Sequence, residues 1–185
     1  MIRATLIILA FLSFYSVSFS QESGISEAVS VNIKLYPIHT LTLNPSQDHK
    51  VVDLEYKTEE DYLNGVSQHR SNHLSIFSTG AYEVKVRSTS PDFVSNSPGT
   101  AGHIQAGSVN IIASDGSNHE GGASYIVQSL STSEATIVSA TRGGVENNYN
   151  IEYRGKNGNA YQNHYVSGQN PSVYSATLTY TIVAK

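Results

Sequence analysis

Seven histidines are the residues of this chain best suited to chemistry, and their spacing speaks against a shared metal ion. His69 and His73 are four apart, which on a helix would put both imidazoles on one face. The residues around them read instead as the start of a β-strand, where positions four apart share a face but stand about 13 Å from each other. That is beyond the reach of one zinc ion. His39, His49, His103, His119 and His164 are scattered among loops and strand ends, so no metal and no cofactor is expected. There is no cysteine, which removes thiolate nucleophiles, thiolate metal sites, disulfides and lipid attachment through an N-terminal cysteine.

Glu59-Glu60-Asp61 and Asp115-Gly116-Ser117-Asn118 carry oxygen ligands of the kind calcium takes. Neither has the dense alternation of acids found in a calcium loop, so they read as a solvated charge run and an ordinary turn. Paired carboxylates for glycoside hydrolysis can lie far apart along a chain, yet most acids here fall in outward strand positions. No nucleophile elbow, phosphate-cradling glycine loop or nucleophile-and-base signature occurs. No catalytic residue is assigned, and the chain reads as a non-enzyme. One stretch could bind rather than react: Tyr161 and Tyr165 flank Asn163 and His164, a stacking face for a sugar with hydrogen-bonding neighbours, in a chain without tryptophan. The alternative is that both tyrosines pack on a sheet edge, the commoner use of such rings.

The elements that must position these residues are strands. Residues 172–184 alternate strictly, with Tyr174, Ala176, Leu178, Tyr180 and Ile182 apolar or aromatic and Ser175, Thr177, Thr179 and Thr181 between them. A period of two means one buried and one wet face. Burying four large side chains contributes roughly 6 to 12 kcal/mol, comparable with the whole stability of a domain, so this strand should close the fold. Val29, Val31, Ile33 and Leu35 form a second alternating run, interrupted by Pro37, and Leu41 and Leu43 resume it before the turn at Asn44-Pro45-Ser46. Val52, Leu54 and Tyr56 form a third. Residues 58–68 read as an exposed connection with a helical turn. Leu74 and Ile76, then Tyr82, Val84 and Val86, flank Ser78-Thr79-Gly80 as a hairpin. A loop over 88–102 and strands near 109–112, 125–130, 135–140 and 149–153 follow, and Asn157-Gly158-Asn159 is a tight turn. Nine or ten short strands without an amphipathic helix predict an all-β fold, an immunoglobulin-like Greek-key β-sandwich, with a β-barrel as the alternative.

Residues 1–20 read as an export signal: Arg3, an apolar run from Leu6 to Leu12 too short to span a bilayer, then Ser18 and Ser20 before a cut. The mature chain would be one domain over 21–185, 165 residues once the 20 of the leader are taken from 185. Eleven basic residues less Arg3, against 15 acidic ones, leave a charge of −5. An acidic balance without a basic cluster excludes nucleic acid as a partner and gives no membrane-binding face. No later segment is long and apolar enough to be transmembrane. The expected location is secreted or cell-surface, with the periplasm as a variant of the same export.

Four stretches carry a resemblance: residues 31–43, Tyr62-Leu63-Asn64-Gly65-Val66, residues 73–80, and residues 174–182. They resemble a group of small secreted β-sandwich proteins of Bacteroidota, and the likeness covers most of the mature chain. More distantly, the terminal Tyr-x-Ala-x-Leu-x-Tyr pattern is similar to the last strand of fimbrial-subunit and WxL-type surface domains. Here Tyr180 stands where an aromatic residue is expected, and the WxL tryptophan is missing. The resemblance implies a structural or adhesion role among other subunits or cell-surface components, and no catalytic residues. The fimbrial likeness also implies a strand-exchange interface, with Val29, Val31, Ile33 and Leu35 lent as a strand and Tyr174, Leu178, Tyr180 and Ile182 as the receiving edge. The alternative is a self-contained module that binds a glycan or protein through loops that include Tyr161, His164 and Tyr165.

Overall fold

The computed structural model describes residues 24–44, 50–96 and 102–185. The expected export signal over residues 1–20 lies outside them, as do His49, Pro45-Ser46 of the first turn and part of the 88–102 loop. The chain divides into two units, 1–34 and 35–185. Of the first, residues 24–34 are exposed and carry no secondary structure.

The second unit runs β1 (His39–Leu43), α1 (Glu59–Asn64), β2 (Ser67–Ser78), β3 (Tyr82–Ser88), β4 (Asp92–Ser95), β5 (His103–Gln105), β6 (Val109–Asp115), β7 (Ala123–Tyr125), β8 (Gln128–Ser129), β9 (Ala135–Ala140), β10 (Gly144–Gly155), β11 (Tyr174–Ser175) and β12 (Leu178–Ala184). The strands form three antiparallel sheets, ordered β1-β2-β10-β6-β8, β12-β3-β9-β7 and β11-β4-β5. The fold is all-β and sandwich-like, as the alternating runs predict. The order β1-β2-β10-β6 against β12-β3 is that of strands A-B-E-D against F-C in an immunoglobulin domain. β7 and β9 extend the second sheet beyond β3. The seventh strand of an immunoglobulin domain pairs beside F, and here, among the described residues, β12 is an edge strand bonded only to β3.

Alternation builds the core. In β3, Tyr82, Val84 and Val86 are buried while Arg87 faces out; in β10, Tyr149, Ile151 and Tyr153 are buried, Tyr149 opposite Leu74 of β2, where Leu74 and Ile76 are buried as well. Ile111 from β6 and Ile137 and Val138 from β9 complete the interior. Deep tyrosines need partners for their hydroxyls, and they find each other. Tyr82 and Tyr149 share a hydrogen bond of 2.5 Å. Removing either hydroxyl, in Tyr82→Phe or Tyr149→Phe, leaves the other buried without this partner and should cost about 1 to 3 kcal/mol. The double variant, which removes both, should cost less than the sum of the two. Urea unfolding of the four proteins checks this, and strict additivity would show that the two hydroxyls act independently.

The structure corrects several expectations. Ser78-Thr79-Gly80 does not close a hairpin: β2 pairs with β1 and β10, while β3 pairs with β12 and β9, so this turn carries the chain from one sheet to the other. The terminal run is two strands broken at Ala176-Thr177, and Tyr174 belongs to the small sheet, where it pairs with Ser95. The stretch near 125–130 is likewise two short strands in different sheets. Asp92–Ser95 is a strand inside the expected 88–102 loop. Residues 51–57 keep alternate burial without joining a sheet, with Val52 and Leu54 packed on the core. No strand forms over Val29–Leu35. Period two reports which side chains share a face, but a strand also needs a neighbour for its backbone groups.

Candidate functional site

Two features stand out, an unpartnered edge and a polar trough. At the edge, β12 presents Leu178, Tyr180 and Ile182 toward the core, yet all three are only half-buried. β1 approaches β12 from the other sheet and contributes the half-buried Leu41. Beneath the edge lies a buried polar chain: Tyr180 shares a 2.6 Å hydrogen bond with Tyr153, whose hydroxyl also meets His73 Nε2 at 2.8 Å. Burial pushes the Tyr153 hydroxyl up to about 12, against the opposing effect of its bond to Tyr180. Burial also raises Tyr180 well above its ordinary value.

The matching apolar run is in place in the sequence but outside any sheet. Val29, Val31, Ile33 and Leu35 are between 83% and 88% exposed, an unusual state for four large aliphatic side chains at every second position. Among the described residues, none of the four has a strand partner. Of the expected receiving residues, the structure places Leu178, Tyr180 and Ile182 together on β12, while Tyr174 lies on β11.

The trough lies beside β5. One recess, of about 390 Å3, is lined by His103, Asn163, His164, Tyr165 and Tyr174. A second, of about 260 Å3, adds Gln105, Ser108 and Lys156 and shares His103 and His164 with the first. The loop wall is braced: the Tyr174 hydroxyl donates to the His164 carbonyl at 2.7 Å, the two rings meet edge to face, and the Tyr165 hydroxyl donates to the Gln169 carbonyl. Tyr165 stays 65% exposed. His164 and Tyr165 are thus brought together as the sequence suggests. Tyr161 is not: its ring packs on Tyr56 at 4.5 Å and its hydroxyl donates to the Ser108 carbonyl at 2.9 Å. His103, Gln105 and Lys156 were not singled out for this trough by the sequence, because the chain returns to them only through folding.

The other candidates are engaged in structure. Asp61 accepts from the backbone N–H groups of Thr58 and Lys57 at 2.8 Å each, while Thr58 Oγ1 caps Asp61 N. This capping box starts α1, and the backbone donors hold the Asp61 carboxyl below its usual range. The 115–118 turn is tied to asparagines: Ser117 N donates to Asn72 Oδ1, and Asn150 Nδ2 to the Asp115 carbonyl. His73 is buried and His69 is not, on the same strand. Among the described residues no three metal-ligating side chains converge, and no helix is long and apolar enough to cross a membrane. No protein-family model matches the chain, and no curated protein does.

Proposed function

We propose that this is an exported structural subunit of a cell-surface assembly, and that it lends the strand Val29–Leu35 to the β12 edge of a neighbouring copy. One observation carries the reading: the same chain holds an exposed, unpaired run of alternating aliphatics and an edge strand whose core-facing side chains are half-covered. An open edge is a pairing template, and adding a strand to it supplies main-chain hydrogen bonds while alternate side chains fill pockets. Covering four such side chains contributes roughly 6 to 12 kcal/mol, enough to hold subunits together. The sequence of residues 1–20 supports export, and the likeness to fimbrial-subunit and Bacteroidota secreted sandwiches supports a surface role.

Size-exclusion chromatography of the protein with and without residues 24–35 tests it. The longer chain should form concentration-dependent oligomers and the shorter a monomer, and a peptide spanning 28–36 should raise the melting temperature of the shorter chain. Ile33→Asp should disperse the oligomers as the deletion does. A longer chain that is monomeric throughout removes the exchange, whether or not the deletion weakens it.

A further inference from the structure

We propose that the trough beside β5 binds an acidic oligosaccharide, with uronate carboxylates meeting His103, His164 and Lys156 and a sugar ring lying on Tyr165. This goes beyond the strand-lending role and does not depend on it. The first ground is chemical. Among the described residues the His103 imidazole, the Asn163 and Gln105 amides and the Lys156 ammonium make no side-chain hydrogen bond or ion pair, and each borders one of the two recesses that meet at His103 and His164. Converging polar groups that the fold leaves uncommitted are what a ligand site requires.

The second ground is the sign of those groups. Among the described residues no carboxylate lines either recess, although the chain carries 15 acids against 11 basic residues; Asp92, opposite Gln105 in register, is not among the lining residues. A site for neutral sugars needs acceptors for many hydroxyl donors. Here the ionisable groups are donors or become so on protonation, which suits a ligand rich in acceptor oxygens. The third ground is the wall. Tyr165 exposes a ring anchored by its hydroxyl, and an anchored aromatic face is where the apolar side of a pyranose settles. Tyr174 fills the floor behind His164, and a side chain at Gly102 would meet its hydroxyl at 2.8 Å, so the recess keeps its depth by having glycine there.

Calorimetric titration of the protein with a galacturonic acid oligomer tests this, beside a neutral cello-oligosaccharide of the same length and inorganic phosphate. The uronate oligomer should bind and weaken as salt is added. Lys156→Ala and His103→Ala should each weaken it by about tenfold, the scale of one charge-assisted hydrogen bond. Tyr165→Ala should weaken it too, while Arg87→Ala, outside the trough, should not. Equal binding of the neutral oligomer overturns the acidic specificity, and equal binding of phosphate overturns the sugar. Failure of the uronate oligomer to bind, or binding unchanged in all three trough variants, overturns the site.

Discussion

Taken from neutral into strongly alkaline solution, the protein should keep its sheets to about pH 10 and lose them cooperatively above it, with part of the phenolate absorbance withheld until the sheets go. The cause is a set of tyrosine hydroxyls held inside the fold, those of the buried Tyr82, Tyr149 and Tyr153 and that of the half-buried Tyr180, which is bonded to Tyr153. Tyr153 is raised by burial from 10.0 to about 12, and Tyr82, Tyr149 and Tyr180 are raised in the same direction, each first by burial. A group whose folded value lies above its unfolded one contributes stability that is whole below the unfolded value. That stability is lost as pH rises through the folded one. Tyr153 alone contributes about 3 kcal/mol across that window, and a domain holds only about 5 to 15 kcal/mol. Circular dichroism and phenolate absorbance followed together decide it. Full ionisation of the tyrosines with the β signal intact would show that the hydroxyls are not held as described.

Replacing Gly143 by alanine should be the most damaging methyl group added at any of the described glycines. A Cβ at that position would overlap the Ser78 carbonyl oxygen and lie 2.8 Å from Gly80 N, both backbone atoms. Neither can step aside. Thr79 N is bonded to the Ile38 carbonyl, Ser78 Oγ to the Gly80 carbonyl, and Ser78 pairs with Gly144. Overpacking typically costs about 1 to 3 kcal/mol, occasionally more, and a clash with fixed backbone belongs at or beyond the upper end. At about 2 to 4 °C per kcal/mol, the melting temperature should fall by roughly 6 to 12 °C. Gly80→Ala is the control, because its Cβ would meet nothing within 4 Å. A Gly143→Ala protein that melts with the parent would mean that the sheet-to-sheet turn is not packed as described.

The same turn explains what the sequence could and could not disclose. Period two located β1, β3 and the inner half of β10, since side-chain alternation is a local property, and strands were expected near β6 and β9 as well. It could not tell a hairpin from a crossing between sheets. Ser78-Thr79-Gly80 has the composition of either, and only the partners of Leu74 and Tyr82 decide. The break at Ala176-Thr177 is invisible for a like reason, because the alternation continues through it while the hydrogen bonds change sheet. The His164-Tyr165 part of the trough was legible because those residues are adjacent. His103 and Lys156 were not, since they reach His164 from β5 and from the end of β10. Tyr161, alike in sequence to Tyr165, is drawn off by Tyr56 and Ser108.

Pairing at a distance also bears on how quickly this molecule takes shape. Leu74 on β2 lies opposite Tyr149 on β10, and β3 finds one neighbour in β9 and the other in β12. Neither large layer can be completed by residues near one another in the chain. Such topologies acquire their structure in milliseconds to seconds rather than microseconds, so the newly made polypeptide stays threadable for longer. Under the export proposed above, in which the chain would be threaded in the extended state, tardiness of that kind would be an advantage.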